Sequence, residues 1–123
     1  MATKSVSLIV LCQNLLALTD PQLFDYFLST MKFHDNFSDF TSQAMDDGFD
    51  EVVQKDWAPD LAVKNHMHPF DVRVQVSAGQ VQLSLASGTH TYGAGQSFYL
   101  ARDVEHAEQY GPEGAHFWVA RKL

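Results

Sequence analysis

His66-Met67-His68-Pro69-Phe70-Asp71 opens the stretch that decides how this chain is read, and Val72-Arg73-Val74-Gln75-Val76-Ser77-Ala78-Gly79 continues it. Side chains on an extended segment alternate between faces, so His66 and His68 project from the same face and can hold one metal ion together. Pro69 fixes its own backbone angle and keeps His68 out of helical geometry, which ends or kinks the strand directly after the pair. Downstream, Gly95-Gln96-Ser97-Phe98-Tyr99-Leu100 runs from a turn glycine through a strand, and Ala101-Arg102-Asp103-Val104-Glu105 leads by a polar turn into a third histidine, His106.

These two stretches and the hairpin between them resemble the cupin superfamily. His66, His68 and Gly79 match its first motif, and Gly95 and His106 match its second. The chain departs from the pattern at the carboxylate, whose usual place falls on Val72 or Arg73 with Asp71 one position early, and at Ala101 and Asp103, where the family has Pro and Gly. The resemblance covers residues 51–122. It implies a mainly β fold, a cupin-type double-stranded β-helix (jelly-roll barrel), with His66, His68 and His106 holding a divalent metal ion. Fe, Zn, Ni, Mn and Cu all suit imidazole donors, and Asp71 stands either as a fourth ligand or as a group that orients a ligand imidazole from behind.

The strand after Pro69 bears on that choice. Val72, Val74 and Val76 form one face, and Asp71, Arg73, Gln75 and Ser77 the other, so only one set points into a barrel. Desolvating the charged set costs more, which predicts a valine-in register, a three-histidine centre and Asp71 at the rim. Replacement of Asp71 by Asn is then expected to weaken metal binding on the order of tenfold.

The rest of the chain divides at about residue 48. Residues 1–48 read as a helical segment packed on the barrel or on a dimer partner, and residues 49–123 as the barrel. Leu8, Leu11, Leu15 and Leu18 share a helical face, and Thr19-Asp20-Pro21 opens a second helix through Leu23, Tyr26, Phe27 and Met31. A third helix begins at Asn36 or Ser38, carries Phe40 and Ala44, and stops at Gly48; His34 reads as a surface or capping residue. From Glu51 onward, short alternating runs are punctuated by glycines, with hairpin turns expected at Ala78-Gly79-Gln80 and Ser87-Gly88 and a turn at Gly111-Pro112-Glu113-Gly114. Trp57 and Trp118 read as core or interface residues, and His90 as a surface one.

With 15 acidic against 8 basic residues and a formal charge of −7, the sequence carries no basic run to neutralise phosphates, so nucleic acid is not an expected partner. The apolar stretch Val6–Leu18 is interrupted by Cys12-Gln13-Asn14 and is too short to span a bilayer. A single cysteine fits a reducing, cytoplasmic setting. Open strand edges favour a homodimer. Two functions are expected. One is a mononuclear metal oxygenase-like or isomerase-like enzyme acting on a small organic molecule, with Arg73, Gln75, Tyr99 and His116 as pocket residues. The other is a non-catalytic module that binds a small molecule or a structural metal. The sequence names neither a catalytic residue nor a substrate.

Overall fold

A helix and six strands follow one another in the computed structural model, which describes residues 33–123: α1 (Phe37–Asp46), β1 (Glu51–Trp57), β2 (Ala62–His66), β3 (Asp71–Leu85), β4 (Gly88–Gly93), β5 (Ser97–Leu100) and β6 (His106–Lys122). The helices expected before Lys32, and Cys12 with them, lie outside the described residues. No helix among the described residues is long and apolar enough to cross a membrane.

Helix α1 starts where the sequence asks it to. Asn36 is extended at the N-cap, and its side-chain oxygen accepts the Asp39 amide at 2.8 Å, satisfying one of the donors that a helix start leaves open. Gly48 takes the left-handed conformation after the last turn, φ +88°. Phe40 and Ala44, one turn apart, are buried, and Phe37 and Phe40 meet Trp118 of β6 with ring centroids 6.1 and 5.9 Å away. The acidic end of the helix also has a partner. Asp47 accepts a hydrogen bond from the Arg73 guanidinium at 2.6 Å, so its charge sits on a buried cation.

The expected hairpin at Gly79 and the expected turn at Gly111–Gly114 are corrected by the structure, because β3 and β6 run straight through them. The two strands pair antiparallel along nearly their whole lengths, with register shifts between Val76 and Ala78 and between Gly79 and Val81. Both strands bend there, and each half acquires its own outer neighbour. The first half of β3 and the second half of β6 pair with β5 and β1; the other halves pair with β4 and β2. The result is a double-stranded β-helix: two antiparallel layers folded from shared strands. Glycine supplied the turn signal in the sequence, yet here it serves close approach. A side chain on Gly79 (φ +76°) would stand 2.0 Å from the Gly114 carbonyl oxygen, and one on Gly114 (φ +71°) 2.2 Å from that of Trp57.

The register along β3 is the valine-in one. Val72, Val74 and Val76 are buried together with Phe98, Leu100, Phe117 and Val119, and Val81, Leu83 and Tyr110 extend the same core into the second layer. Burying each such aliphatic side chain contributes roughly 1.5–3 kcal/mol before the entropy of ordering the chain is set against it. The polar face of β3 is buried as well. Gln75 closes on the backbone of His34, accepting its N–H at 3.0 Å and donating to its carbonyl at 2.8 Å, while Arg73 meets Asp47. His34, expected at the surface or as a cap, therefore acts through its backbone, with its ring edge-on to Phe40.

Replacing Gly114 by Ala is expected to cost about 3 kcal/mol or more in urea unfolding, since left-handed backbone and a collision with a neighbouring strand act together. Gly88, whose added side chain would meet nothing within 4 Å, is the reference, and its Ala variant should lose only the conformational term. Equal losses at the two sites would show that the crossing is not tight.

Candidate metal centre

Strand β2 ends at His66 and β6 begins at His106, and the two residues are direct antiparallel partners. An irregularity brings this about. Val63 faces Glu108 and His66 faces His106, so β2 spends one residue more than β6 between the two pairs. Without that bulge His106 would stand opposite Asn65, and His66 would be carried past it. Glu108 lies two residues along β6 from His106 and therefore on the same face.

One carboxylate oxygen of Glu108 is 3.5 Å from His66 Nε2 and 3.4 Å from His106 Nε2. The donor atoms of His66, His106 and Glu108 lie within 4.8 Å of one another, close enough to hold a metal ion. The His68 ring stands beside them, its centroid 5.0 Å from that of His106 and 6.2 Å from that of His66, stacked at 4.5 Å on Phe70. The expected extended pair is thus only half in a strand. His68 sits past the end of β2, where its carbonyl accepts the Asp103 amide at 2.8 Å. Asp103 fills the family's glycine position in left-handed backbone, φ +62°, a conformation that aspartate tolerates better than most residues.

Each imidazole is oriented by a backbone carbonyl two residues away. His66 Nδ1 lies 2.7 Å from the Lys64 oxygen, His68 Nδ1 3.1 Å from that of Phe70, and His106 Nδ1 2.9 Å from that of Val104. A carbonyl only accepts, so Nδ1 carries the proton in every ring and the neutral ring keeps its lone pair on Nε2. In His66 and His106 Nε2 faces a carboxylate oxygen, an arrangement that is favourable when a proton or a metal cation lies between them.

The electrostatics follow from this. Burial pushes the Glu108 carboxyl up, but hydrogen bonds from His106 and Tyr110 and the neighbouring imidazoles outweigh it and hold the group below its usual range. Burial pulls His106 down, yet the Glu108 contact, the Val104 carbonyl and the Glu108 charge win and raise it above 6.5. His68 moves the other way, lowered mainly by burial against the pull of the Phe70 carbonyl, so it stays neutral and able to ligate. The Tyr110 hydroxyl donates to the second Glu108 oxygen and its ring stacks 4.9 Å from Trp57.

The cluster opens into a cavity of about 170 Å³ walled by Val72, Val74, Phe98, Leu100, Phe117 and Val119. Arg73, Gln75, Tyr99 and His116, expected there, do not line it. Arg73 and Gln75 lie on the opposite face of β3, under α1 and the chain before it, and Tyr99 is the cross-strand partner of Arg73. His116 is held outside between Asp56 at 2.5 Å and Gln54 at 2.7 Å. Asp71 is not among the clustered donor atoms, and its hydrogen bonds go to Arg102 rather than to an imidazole. It accepts the Arg102 backbone amide at 2.8 Å and two guanidinium nitrogens at 3.3 Å. The carboxylate of the cluster comes instead from Glu108, which the sequence reading did not select. Its signal was the spacing His106-Ala107-Glu108 on one strand face.

Several solved structures share this architecture. An RmlC-like cupin from Shewanella frigidimarina matches 58% of this chain and 65% of its own length at 17% identity, with a TM-score of 0.51. A protein with a double-stranded β-helix domain from Klebsiella pneumoniae matches 58% of this chain and 64% of its own length at 20% identity, TM-score 0.51. The polyketide cyclase RemF from Streptomyces resistomycificus matches 64% of this chain and 60% of its own at 25% identity, TM-score 0.50. The matched region thus spans somewhat less than two thirds of each of these chains. No family model and no curated protein matches the sequence.

Asp71→Asn is expected to change metal affinity by less than about twofold, not the roughly tenfold that the sequence suggested, because no imidazole leans on Asp71. Its effect falls on stability. Burial raises the Asp71 carboxyl, but the Arg102 hydrogen bonds and charge prevail and lower it below 3.8, so its contribution is full above that value and is lost as pH falls through the lowered one. Chemical unfolding at neutral pH and at pH 3, with metal titration alongside, checks both statements.

Proposed function

Because this chain has the cupin fold, a scaffold on which unrelated chemistries recur, we propose its function from the site: it binds one divalent metal ion through His66, His106 and Glu108 with His68 beside them, and acts on a small organic molecule in the adjoining cavity. The observation that carries this is the convergence of two imidazole Nε2 atoms on one carboxylate oxygen at 3.4 and 3.5 Å, beside a third imidazole and a cavity. Such a set holds either a proton or a metal ion, and once deprotonated its two or three imidazoles and one carboxylate suit Fe, Zn, Ni, Mn or Cu. A bound ion would supply Lewis acidity toward an oxygen-bearing ligand.

The chain's own residues supply the rest. Backbone carbonyls fix the tautomer of each ring, Tyr110 fixes the carboxylate, and the Val and Phe wall keeps water from one side of the cavity. Structural metal sites are closed by four protein ligands, whereas this cluster opens to a cavity and the His66 side chain is 36% exposed. That favours an exchanging, enzymic centre over a structural one. RemF, a polyketide cyclase of the same fold, shows that such a barrel can act on an organic substrate.

His106→Ala and Glu108→Gln should each lower metal affinity by more than the about 10–100-fold typical of losing an outer partner. Their urea midpoints without metal should stay near that of the wild type; unchanged metal content in both would reject the site. The pH dependence has a defined sign. Without metal, the His106–Glu108 interaction stabilises fully below pH 6.5 and is lost as pH rises through the raised His106 value, while metal requires that proton to leave. The rise in Tm on adding Zn²⁺ should therefore be larger at pH 8 than at pH 6, and a rise independent of pH would contradict the assignment.

We further propose a homodimer. Strands β1 and β4 end the strand path, and Phe33, Met45 and Leu123 are exposed apolar residues. Light scattering across a hundredfold range of concentration should give twice the monomer mass, and a monomer throughout would refute it.

A further inference from the structure

The cavity contains one charge that the metal reading leaves unused. Lys55 lines it from β1, across from Phe117 in the strand register and on the same face as Trp57. Its Nζ lies 4.5 Å from the centre of the Trp57 ring. Trp57 stacks on Tyr110, and Tyr110 holds Glu108, so a short run of contacts joins the ammonium to the metal-binding cluster. The other cation of the cavity, Arg121, is spoken for: it donates to Glu51 at 2.8 Å. Among the described residues Lys55 has no carboxylate partner. In a chain of formal charge −7, a cation with no carboxylate partner at a cavity wall is a place where an anionic group can be held.

We propose that the ligand of the cavity is a small organic carboxylate, its anionic end held by Lys55 over the Trp57 ring and its apolar body against Val74, Phe98 and Val119. This rests on the metal-site reading for the chemistry that follows, but not for the anchoring itself. The size agrees. A dry cavity of about 150 Å³ takes benzene, and this one measures about 170 Å³. A benzene-sized body therefore fits, with the carboxylate at the partly solvated mouth where Lys55 lies. Trp57 adds to the anchor by keeping the ammonium in place, a cation–π contact that costs the lysine no charge.

Calorimetric titration of the full chain at pH 7.5, with and without Zn²⁺, would compare benzoate with its neutral isostere benzamide. Benzoate should bind better than benzamide in both states. Lys55→Met should weaken benzoate by about tenfold, leave benzamide unchanged, and leave the zinc content of the same samples unchanged. Benzoate bound equally by Lys55→Met and wild type would overturn the anchor, and so would equal binding of benzoate and benzamide, which would show that the charge is not recognised. Zinc analysis separates the two readings: a wild-type protein that takes up no zinc defeats the metal site, whereas the Lys55 comparison is decided in the metal-free titration.

Discussion

The close crossing of β3 and β6 at Gly79 and Gly114 is the constraint from which the rest of the structure follows. Two strands of 15 and 17 residues cannot serve both layers of a barrel unless they bend together, and they bend where backbone lies against backbone with no room for a side chain. Once they do, the second half of β6 belongs to the layer of Val119 and Phe117 and its first half to the layer of His106 and Glu108. Strand β6 thus carries part of the hydrophobic wall, Phe117 and Val119, and part of the polar end, His106 and Glu108. Binding surface and chemistry are held in register by one pairing, which is a more rigid arrangement than two loops would give.

The periodicity of the sequence conveys one half of this well and the other poorly. Alternation of Val72, Val74 and Val76 identified the inner face, because hydrophobic burial acts on each side chain separately and leaves its mark residue by residue. Glycines marked the points where the strands change direction, but a glycine needed for a turn and one needed for close approach look alike in a sequence. What separates them is the position of a strand more than 30 residues away, Gly114 against Gly79. The polar face of β3 was misread for a related reason. Arg73 and Gln75, expected to line the pocket, are instead covered by α1 and the backbone of His34, and Asp47, an unfavourable charge at a helix end by itself, becomes the counter-ion of Arg73.

The site divides along the same line. Each imidazole takes its orientation from a carbonyl two residues away, so the features that make His66, His68 and His106 legible as candidate ligands are local and survive in the sequence. The carboxylate is not local to the His-x-His pair. Asp71 stood nearest to the family's position, but Arg102 claims both of its oxygens, and a carboxylate so engaged has little left to give a metal. Glu108 shares a face with His106 by spacing, but it meets His66 as well only because a one-residue bulge in β2 sets His66 opposite His106. Nothing in the residues Val63 to His66 announces that bulge, since its cause is the pairing partner.

Tyr110 links these two scales. Its ring belongs to the hydrophobic core, stacked on Trp57 and packed on Phe117, while its hydroxyl fixes the Glu108 oxygen that faces away from the histidines. Burial and the carboxylate both push the Tyr110 hydroxyl up, so it remains a donor across the working range of pH and cannot compete with a metal for the other Glu108 oxygen. The carboxylate is left with one oxygen committed to the core and one turned to the imidazoles. Tyr110, Trp57 and Lys55 then form a continuous path from the packed interior, past the Glu108 carboxylate, to the exposed ammonium at the cavity wall. A change in core packing at Trp57 would accordingly be felt at both polar ends, at the carboxylate through Tyr110 and at the ammonium through the ring face beneath it.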